Sequence, residues 1–155
     1  MRVLFCHGLE SGPHGRKYHA MVAAGISVEA PDFRNEDLAT RVDHLLRVLA
    51  DIDDPPLIVG SSFGGITAVL AAMQSGPVHG LVLCAPALAL ADRELLATAP
   101  TVIIHGARDE VCPIEHSRRL AEQPDVRLIE VDDDHGLGAS LDTIVAEVRR
   151  GACLD

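Results

Sequence analysis

The segment Gly60–Gly65 has the sequence Gly-Ser-Ser-Phe-Gly-Gly and contains the pattern G-x-S-x-G centred on Ser62. It follows one apolar run and precedes a longer apolar segment, so it lies where a strand would turn into a helix. Glycines at 60 and 64 let neighbouring backbones approach, and such a sharp turn holds its central residue in a strained conformation. A serine hydroxyl presented on this turn is suited to nucleophilic attack on a carbonyl carbon.

Two other interpretations of this segment remain open, namely a Gly/Ser-rich turn without chemistry and a phosphate-binding loop. The dinucleotide-binding pattern G-x-G-x-x-G belongs directly after the first strand, whereas the first apolar run here leads into His7-Gly8-Leu9-Glu10. Ser61 is a weaker candidate for the nucleophile than Ser62, because it lies one residue before the centre of the motif. The motif alone does not establish a nucleophile.

A serine nucleophile needs a base, normally an imidazole that is oriented by a carboxylate. Asp109 stands four residues past the apolar run that ends at His105, and His135 follows the next apolar run. The candidate nucleophile, acid and base therefore come from the ends of three different strands. The order Ser62, Asp109, His135 along the chain indicates a catalytic triad.

Each member of this set also has an interpretation without catalysis. Asp109 could be an ordinary turn residue, since aspartate is common in loops, and Glu110 beside it is the nearest rival acid. His135 is one of eight histidines and could lie at the surface. The agreement of three residue types, at three strand ends and in one chain order, is what favours a triad.

The acidic segment Asp132–Asp134 could alternatively be a solvated turn or a site for a divalent cation. No second cluster of histidines and carboxylates occurs at metal-ligand spacing, so we expect neither a metal nor a cofactor. His7 and His105 stand at strand ends, and we expect both to be packed, hydrogen-bonded residues rather than catalytic ones.

These candidate residues must be positioned by the elements between them. Consecutive apolar positions, as in 57–59 and 102–104, are typical of strands that are buried on both faces, and such strands belong to parallel sheets covered by helices. Strand and helix alternate along the chain, which predicts right-handed crossovers and a three-layer α/β/α sandwich. The six predicted strands are Val3–Cys6, Ser27–Ala30, Leu57–Gly60, Gly80–Cys84, Thr101–His105 and Val126–Val131.

The segments between the strands are predicted to be helical. A helical stripe of apolar residues spans 38–52, and a similar stripe spans 141–148. The segment 63–74 is almost entirely small or apolar, so its helix should be buried. Shorter helices are predicted at Tyr18–Ala24, Glu94–Ala97 and Glu115–Glu122.

Length and charge limit the classes of protein to which these motifs can belong. The chain has 155 residues, 48% of them hydrophobic, and a formal net charge of −10. This length predicts one domain over residues 1–155. The negative charge argues against nucleic-acid binding, and no apolar stretch reaches the roughly 20 residues of a transmembrane helix.

The cysteines and the N-terminus bear on the cellular compartment. The start of the sequence is polar by His7, too soon for a secretion signal. The cysteines form no C-x-x-C pair, which predicts free thiols and a cytoplasmic protein. No pattern selects an oligomeric state. The four cysteines are Cys6, Cys84, Cys112 and Cys153.

Taken together, the motifs resemble the α/β-hydrolase superfamily. The resemblance runs from about residue 2 to about residue 148 and is carried by His7-Gly8, Gly60-x-Ser62-x-Gly64, His105-Gly-x-x-Asp109 and Asp134-His135-Gly136. The opening His7-Gly8-Leu9-Glu10-Ser11-Gly12-Pro13, the following Lys17 and the doubled serine are similar to small bacterial esterases without a lid.

The resemblance implies a role for several residues and a strand order. Ser62 would be the nucleophile, His135 the general base and then acid, and Asp109 the orienting carboxylate. The oxyanion hole would be formed by the backbone N–H groups of Leu9 and Phe63. The family also implies the spatial strand order 2-1-3-4-5-6.

The sequence departs from larger members of the superfamily in two places. The antiparallel hairpin that usually begins their chain is missing, because the His-Gly strand is the first element. Only residues 85–100 separate the fourth and fifth strands, which leaves room for one short helix at 92–97 and no lid domain. We therefore expect a shallow, open site for short-acyl or bulky, exposed substrates.

The resulting expectation is a cytoplasmic serine hydrolase, most simply a carboxylesterase for small or short-chain esters, that works through an acyl-enzyme without a cofactor. The same triad could serve thioesters, lactones, amides or perhydrolysis. The chain could also be a non-catalytic binding module on a hydrolase scaffold, because fold does not guarantee function.

Overall fold

Six parallel strands form one sheet in the computed structural model, which describes residues 1–154. Numbered along the chain, the strands lie in the spatial order 2-1-3-4-5-6, which confirms the predicted order, and every neighbouring pair is parallel. The strand predicted at 27–30 is shorter than expected. The strands are β1 (Val3–Cys6), β2 (Val28–Glu29), β3 (Leu57–Ser61), β4 (Gly80–Cys84), β5 (Thr101–Gly106) and β6 (Val126–Val131).

Helices cover both faces of the sheet, which confirms the three-layer prediction. Side chains alternate between the two faces along each strand. Leu4 and Cys6 therefore pack in the apolar cluster between the sheet and the second, third and fourth helices, whereas Val3 and Phe5 pack in the cluster between the sheet and the first and fifth helices. The helices are α1 (Arg16–Ala23), α2 (Leu38–Ala50), α3 (Phe63–Ala72), α4 (Ile114–Leu120) and α5 (Leu141–Gly151).

The prediction of a short helix at 92–97 is wrong. This segment follows a short 3₁₀ turn at Leu88–Leu90 and is irregular. The Gln123 side chain accepts a hydrogen bond from the Ala97 N–H and donates one to the Leu95 carbonyl. Because a side chain from another element satisfies these backbone groups, the segment does not need helical hydrogen bonds.

The described chain holds no lid over the carboxyl end of the sheet, since residues 85–100 contribute only the 3₁₀ turn and irregular backbone between β4 and β5. None of the helices in residues 1–154 has the length and apolar character needed to cross a membrane. The loops that follow β1, β3, β5 and β6 are therefore uncovered, and they carry the residues singled out by the sequence.

Candidate active site

Ser62 lies on a strained turn between β3 and α3. Its backbone has φ 54° and ψ −112°, outside the regions that ordinary residues favour. Glycine at 64 is required by close approach, because a Cβ there would overlap the carbonyl oxygen of Cys6. A Cβ at Gly60 would lie 2.6 Å from the Gly64 carbonyl oxygen. The two glycines thus let α3 pack tightly against β1 and β3 and hold Ser62 at the turn.

The three predicted residues Ser62, Asp109 and His135 come together in one hydrogen-bonded chain. His135 Nε2 lies 3.0 Å from Ser62 Oγ, and His135 Nδ1 lies 2.8 Å from Asp109 Oδ2. Both distances are normal for hydrogen bonds. The rival acid Glu110 is exposed and makes no hydrogen bond within residues 1–154. Ser61 is the last residue of β3 and takes no part in this series of hydrogen bonds.

The Asp109 carboxylate is fully buried and accepts several hydrogen bonds. Its Oδ1 accepts from the backbone N–H groups of Val111 and Cys112, both at 2.8 Å. Burial acts to raise the pKa of Asp109, but the hydrogen bonds from Cys112, His135 and Val111 outweigh it and hold the pKa below its usual value. Asp109 is therefore a carboxylate that can orient and balance an imidazolium at position 135.

His105 is a second imidazole beside Asp109 and is fully buried, as expected for a packed histidine. Its Nε2 lies 3.1 Å from Asp109 Oδ2 and 2.9 Å from the Cys112 carbonyl oxygen. Both partners accept hydrogen bonds, so Nε2 carries a proton. Its Nδ1 lies 2.7 Å from Ser117 Oγ, whose hydroxyl can donate to a neutral ring. Neither the Asp109 contact nor Ser117 was foreseen from the sequence.

The loop that carries His135 is held by side-chain hydrogen bonds. Asp133 accepts from the N–H groups of Asp134 and Ala139 and from the Ser140 hydroxyl, and these bonds lower its pKa despite burial. Lys17 Nζ donates to the Gly136 carbonyl at 3.1 Å. The predicted acidic segment is thus a structural part of this loop. Within residues 1–154, no group of three or more potential ligand side chains is arranged for a metal ion.

The profile of the alpha/beta hydrolase family matches residues 3–148, nearly the whole chain. The chain belongs to the α/β hydrolase family. No curated protein matches the sequence.

Solved structures of other α/β hydrolases superpose on the chain. A protein of Xanthomonas campestris pv. campestris, assigned to the α/β superfamily, is 29% identical with a TM-score of 0.83, and the alignment covers 96% of this chain and 98% of that chain. Est1E of Butyrivibrio proteoclasticus is 19% identical with a TM-score of 0.80 over 97% and 86% of the two chains. A monoacylglycerol lipase of Paleococcus ferrophilus is 17% identical with a TM-score of 0.70 over 93% of each. At these low identities, the similarity to Est1E and to the lipase shows a shared fold and nothing about activity.

The two N–H groups that the resemblance assigned to an oxyanion hole are available in this α/β hydrolase. Phe63 is the first residue of α3, where an N–H has no intrahelical acceptor. The Leu9 N–H donates no hydrogen bond within residues 1–154. A Cβ built on Gly8 would lie 3.8 Å from Ser62 Cβ, so the turn that carries Leu9 runs close to the serine.

A buried arginine supports the turn after β1 and was missed by the sequence analysis. Arg41 of α2 is fully buried, and its guanidinium donates to the carbonyl oxygens of His7 at 2.7 Å and Gly8 at 3.2 Å. It lies 4.6 Å from the ring centroid of Phe63 and 5.6 Å from that of Phe33. In the sequence, Arg41 lies beside the apolar stripe of α2, and nothing there marks it as buried.

His7 fixes the same turn from the other side. Its Nε2 accepts from the Phe33 N–H at 2.9 Å, so Nδ1 carries the proton and donates to the Gly8 carbonyl at 2.6 Å. The His7 side chain is fully buried, as predicted for a packed residue. Arg41 and His7 together hold the carbonyls of residues 7 and 8, which orients the peptide that ends in the Leu9 N–H.

The buried Cys112 thiol is a neighbour of Ser62 but not a second nucleophile. Burial and the negative charge of Asp109 raise the pKa of Cys112, and the hydrogen bond with Ser62 offsets this only in part. The thiol therefore stays protonated at neutral pH, and thiols attack poorly in that form. Within residues 1–154 all four cysteines are free.

A cavity of about 700 Å³ opens beside Ser62 and His135. One end is lined by the turns after β1 and includes Glu10, Arg16 and Lys17. The other end is lined by apolar side chains from the segments after β4 and β5, where Leu90 is 54% exposed and Val111 is 69% exposed. Because β1 and β4 lie on opposite sides of β3 in the sheet, these two groups of lining residues follow strands on either side of the one that leads into Ser62.

Proposed function

We propose that this protein is a serine hydrolase that cleaves small or short-chain carboxylic esters. The observation that carries the proposal is the continuous series of hydrogen bonds from Asp109 through His135 to Ser62. It occurs in a protein of the α/β hydrolase family. Ser62 is the nucleophile, His135 the general base and acid, and Asp109 the residue that orients the imidazole.

In the first half of the reaction, Ser62 Oγ attacks the ester carbonyl carbon while its proton moves to His135 Nε2. The carbonyl oxygen becomes an oxyanion that accepts hydrogen bonds from the Leu9 and Phe63 N–H groups, and each such donor is worth roughly 10²–10³ in rate. His135 then gives its proton to the departing alcohol oxygen. The C–O bond of the ester breaks and an acyl-enzyme remains on Ser62.

In the second half, water replaces the alcohol. The His135 side chain is about a quarter exposed and lines the cavity, so water can approach the imidazole. The imidazole takes one proton from the water as the oxygen attacks the acyl carbon. Collapse of the second oxyanion returns the proton to Ser62 Oγ and releases the acid. No cofactor takes part in any step.

The size of the acyl group follows from the absence of a lid in the described chain. The apolar end of the cavity has exposed side chains such as Leu90 and Val111 and no covering helix. A long acyl chain would leave much of its surface in water and gain little from burial. We therefore assign short acyl groups to this end.

Hydrolysis of 4-nitrophenyl acetate tests the proposal. Ser62→Ala should reduce kcat/KM by several orders of magnitude, and a fluorophosphonate probe should label the wild type and Ser61→Ala but not Ser62→Ala. A series from acetate to octanoate should show the highest kcat/KM at acetate or butyrate. Wild-type activity in Ser62→Ala would show that Ser62 is not the nucleophile.

A further inference from the structure

Two neighbouring cations lie at one end of the active-site cavity without a carboxylate partner. Arg16 and Lys17 both line the cavity, and within residues 1–154 neither forms an ion pair. Seven other arginines do pair with carboxylates, namely Arg2, Arg34, Arg93, Arg108, Arg118, Arg127 and Arg150.

The Arg16 guanidinium lies close against the loop after His135. A Cβ on Gly138 would lie 2.8 Å from Arg16 Nη1, and a Cβ on Gly136 would lie 3.2 Å from Arg16 Nη2. Neither glycine has a positive φ, so backbone conformation does not require them. The missing side chains leave space for a guanidinium that rests along the loop beside the catalytic imidazole.

Lys17 completes the same cluster from the next position of α1. Its ammonium group has three donors, and the described chain provides one acceptor, the Gly136 carbonyl at 3.1 Å. Glu10 is the only carboxylate residue that lines the cavity within the described residues. The described residues that line the cavity thus include two cations and one carboxylate, and Asp133 acts on Lys17 electrostatically without forming an ion pair.

The position of the cluster identifies the part of the substrate that it would meet. Under the proposed mechanism, His135 Nε2 protonates the departing alcohol oxygen, so the alcohol portion must lie against His135. Gly136 follows directly in the chain and is contacted by Lys17 and approached by Arg16. The apolar segment that follows β4 lies on one side of β3, and the turn that follows β1 and leads to Arg16 and Lys17 lies on the other side.

We propose that Arg16 and Lys17 bind an anionic group, a carboxylate or a phosphate, on the alcohol portion of the ester substrate. This inference rests on the proposed esterase function and names its substrate class: short acyl esters of anionic alcohols. Guanidinium and ammonium groups form strong charge-assisted hydrogen bonds with both anions. Binding beside the imidazole would hold the leaving oxygen within reach of His135 Nε2.

A matched pair of acetate esters tests the proposal. 4-Acetoxybenzoate and 4-acetoxybenzamide share the acetyl group and the aromatic ring and differ in one negative charge. Their intrinsic reactivities are the same for every variant, so the ratio of their kcat/KM values isolates the protein's contribution. 4-Acetoxyphenyl phosphate in the same assay distinguishes a preference for phosphate from one for carboxylate.

Arg16→Gln and Lys17→Gln should each lower this ratio about fivefold or more, mainly through KM for the anionic ester. Arg47→Gln is the control, since it removes one exposed positive charge outside the cavity and should leave the ratio unchanged. The wild-type ratio should also fall at high salt, because exposed charges are screened. An equal ratio in wild type and both cavity variants would overturn the proposal.

A binding measurement separates this proposal from the proposed function. Calorimetry with Ser62→Ala should show that 4-hydroxybenzoate binds more tightly than 4-hydroxybenzamide, and that Arg16→Gln in the same background removes the difference. This result would support the anion site even if no ester were hydrolysed. Equal binding of the two compounds to Ser62→Ala would refute the site while leaving esterase activity standing.

Discussion

The imidazole of His105 and the carboxylate of Asp109 contact each other in the interior, with 3.1 Å between Nε2 and Oδ2 and both side chains fully buried. The same carboxylate oxygen, Asp109 Oδ2, also accepts a hydrogen bond from His135 Nδ1. Asp109 is thus held between two imidazoles, one that faces Ser62 and one that is fixed by Ser117. His105 does not touch the reacting atoms in the proposed mechanism, so its contribution is to position Asp109.

We predict that His105→Leu lowers both stability and activity. The substitution removes one of the donors to Asp109 and the His105 partner of the Ser117 hydroxyl, and a buried polar group left unsatisfied costs about 1–3 kcal/mol. Urea denaturation should therefore show a lower free energy of unfolding. The folded fraction should have a reduced kcat for 4-nitrophenyl acetate and an altered pH profile of kcat/KM, because Asp109 loses a donor.

His79→Leu is the control for this prediction, because His79 is exposed and its side chain makes no hydrogen bond within residues 1–154. It should leave stability and the pH profile close to those of the wild type. A His105→Leu protein with wild-type kcat and pH profile would mean that His105 does not position Asp109.

Acid should destabilise the protein through the two buried aspartates of the site loops. The pKa values of Asp109 and Asp133 are held below the usual 3.8, so the unfolded chain binds these protons at a higher pH than the folded chain. Their stabilising contribution is therefore complete above about pH 4 and is lost as the pH falls through the folded values. Urea denaturation at a series of pH values between 6 and 2.5 measures how the free energy of unfolding depends on pH.

Asp133→Asn removes one of these two titrating carboxyl groups. It should therefore flatten the dependence of the free energy of unfolding on pH below about 4. Asp54→Asn is the matched control, because Asp54 is exposed and makes no hydrogen bond among the described residues. It should retain the wild-type slope. Equal slopes for the two variants would exclude a contribution from Asp133.

The residue patterns were sufficient to predict the parallel sheet and the residues that meet at its carboxyl edge, whereas the strand order was implied by the resemblance to the α/β-hydrolase superfamily. Consecutive apolar residues such as Leu57-Ile58-Val59 are typical of a strand buried on both faces, and parallel strands bring their carboxyl ends to one edge. Ser62, Asp109 and His135 could be selected because each follows an apolar run within four residues. The catalytic roles of these residues stay predictions.

What the sequence could not predict depends on contacts between distant elements. The segment at 92–97 has helical residue preferences, but Gln123 from after α4 satisfies its backbone groups in an irregular conformation. Arg41 has a charge that predicts exposure, and only the carbonyls of His7 and Gly8, from another element, explain its burial. Neither partner is evident from local periodicity.

Arg41→Met should reduce catalysis more than substrate binding. The His7 and Gly8 carbonyls would lose the forked donor that orients their peptides, and the Leu9 N–H would be less firmly held toward the proposed oxyanion, because only His7 would still hold the Gly8 carbonyl. Since one such donor is worth roughly 10²–10³ in rate, we expect kcat to fall about tenfold or more with a smaller change in KM. Steady-state kinetics with 4-nitrophenyl acetate check this.

Arg41→Lys helps to separate positioning from folding in that experiment. Lysine keeps the charge but lacks the planar fork that reaches two carbonyls, so its kcat should lie between those of Arg41→Met and the wild type. Circular dichroism of both variants establishes that the fold is retained. Wild-type kcat in two folded variants would rule out a role for Arg41 in orienting the turn.

Gly64→Ala should prevent stable folding around Ser62. A methyl group at this position would overlap the Cys6 carbonyl oxygen of β1 and crowd that of His7, and backbone atoms within a packed sheet cannot move aside cheaply. Gly76→Ala is the matched control, because a Cβ there meets no atom within 4 Å and Gly76 has no positive φ. Thermal unfolding should show a large loss for Gly64→Ala and little change for Gly76→Ala. Similar melting temperatures for the two variants would contradict the tight contact between α3 and β1 that holds the Ser62 turn.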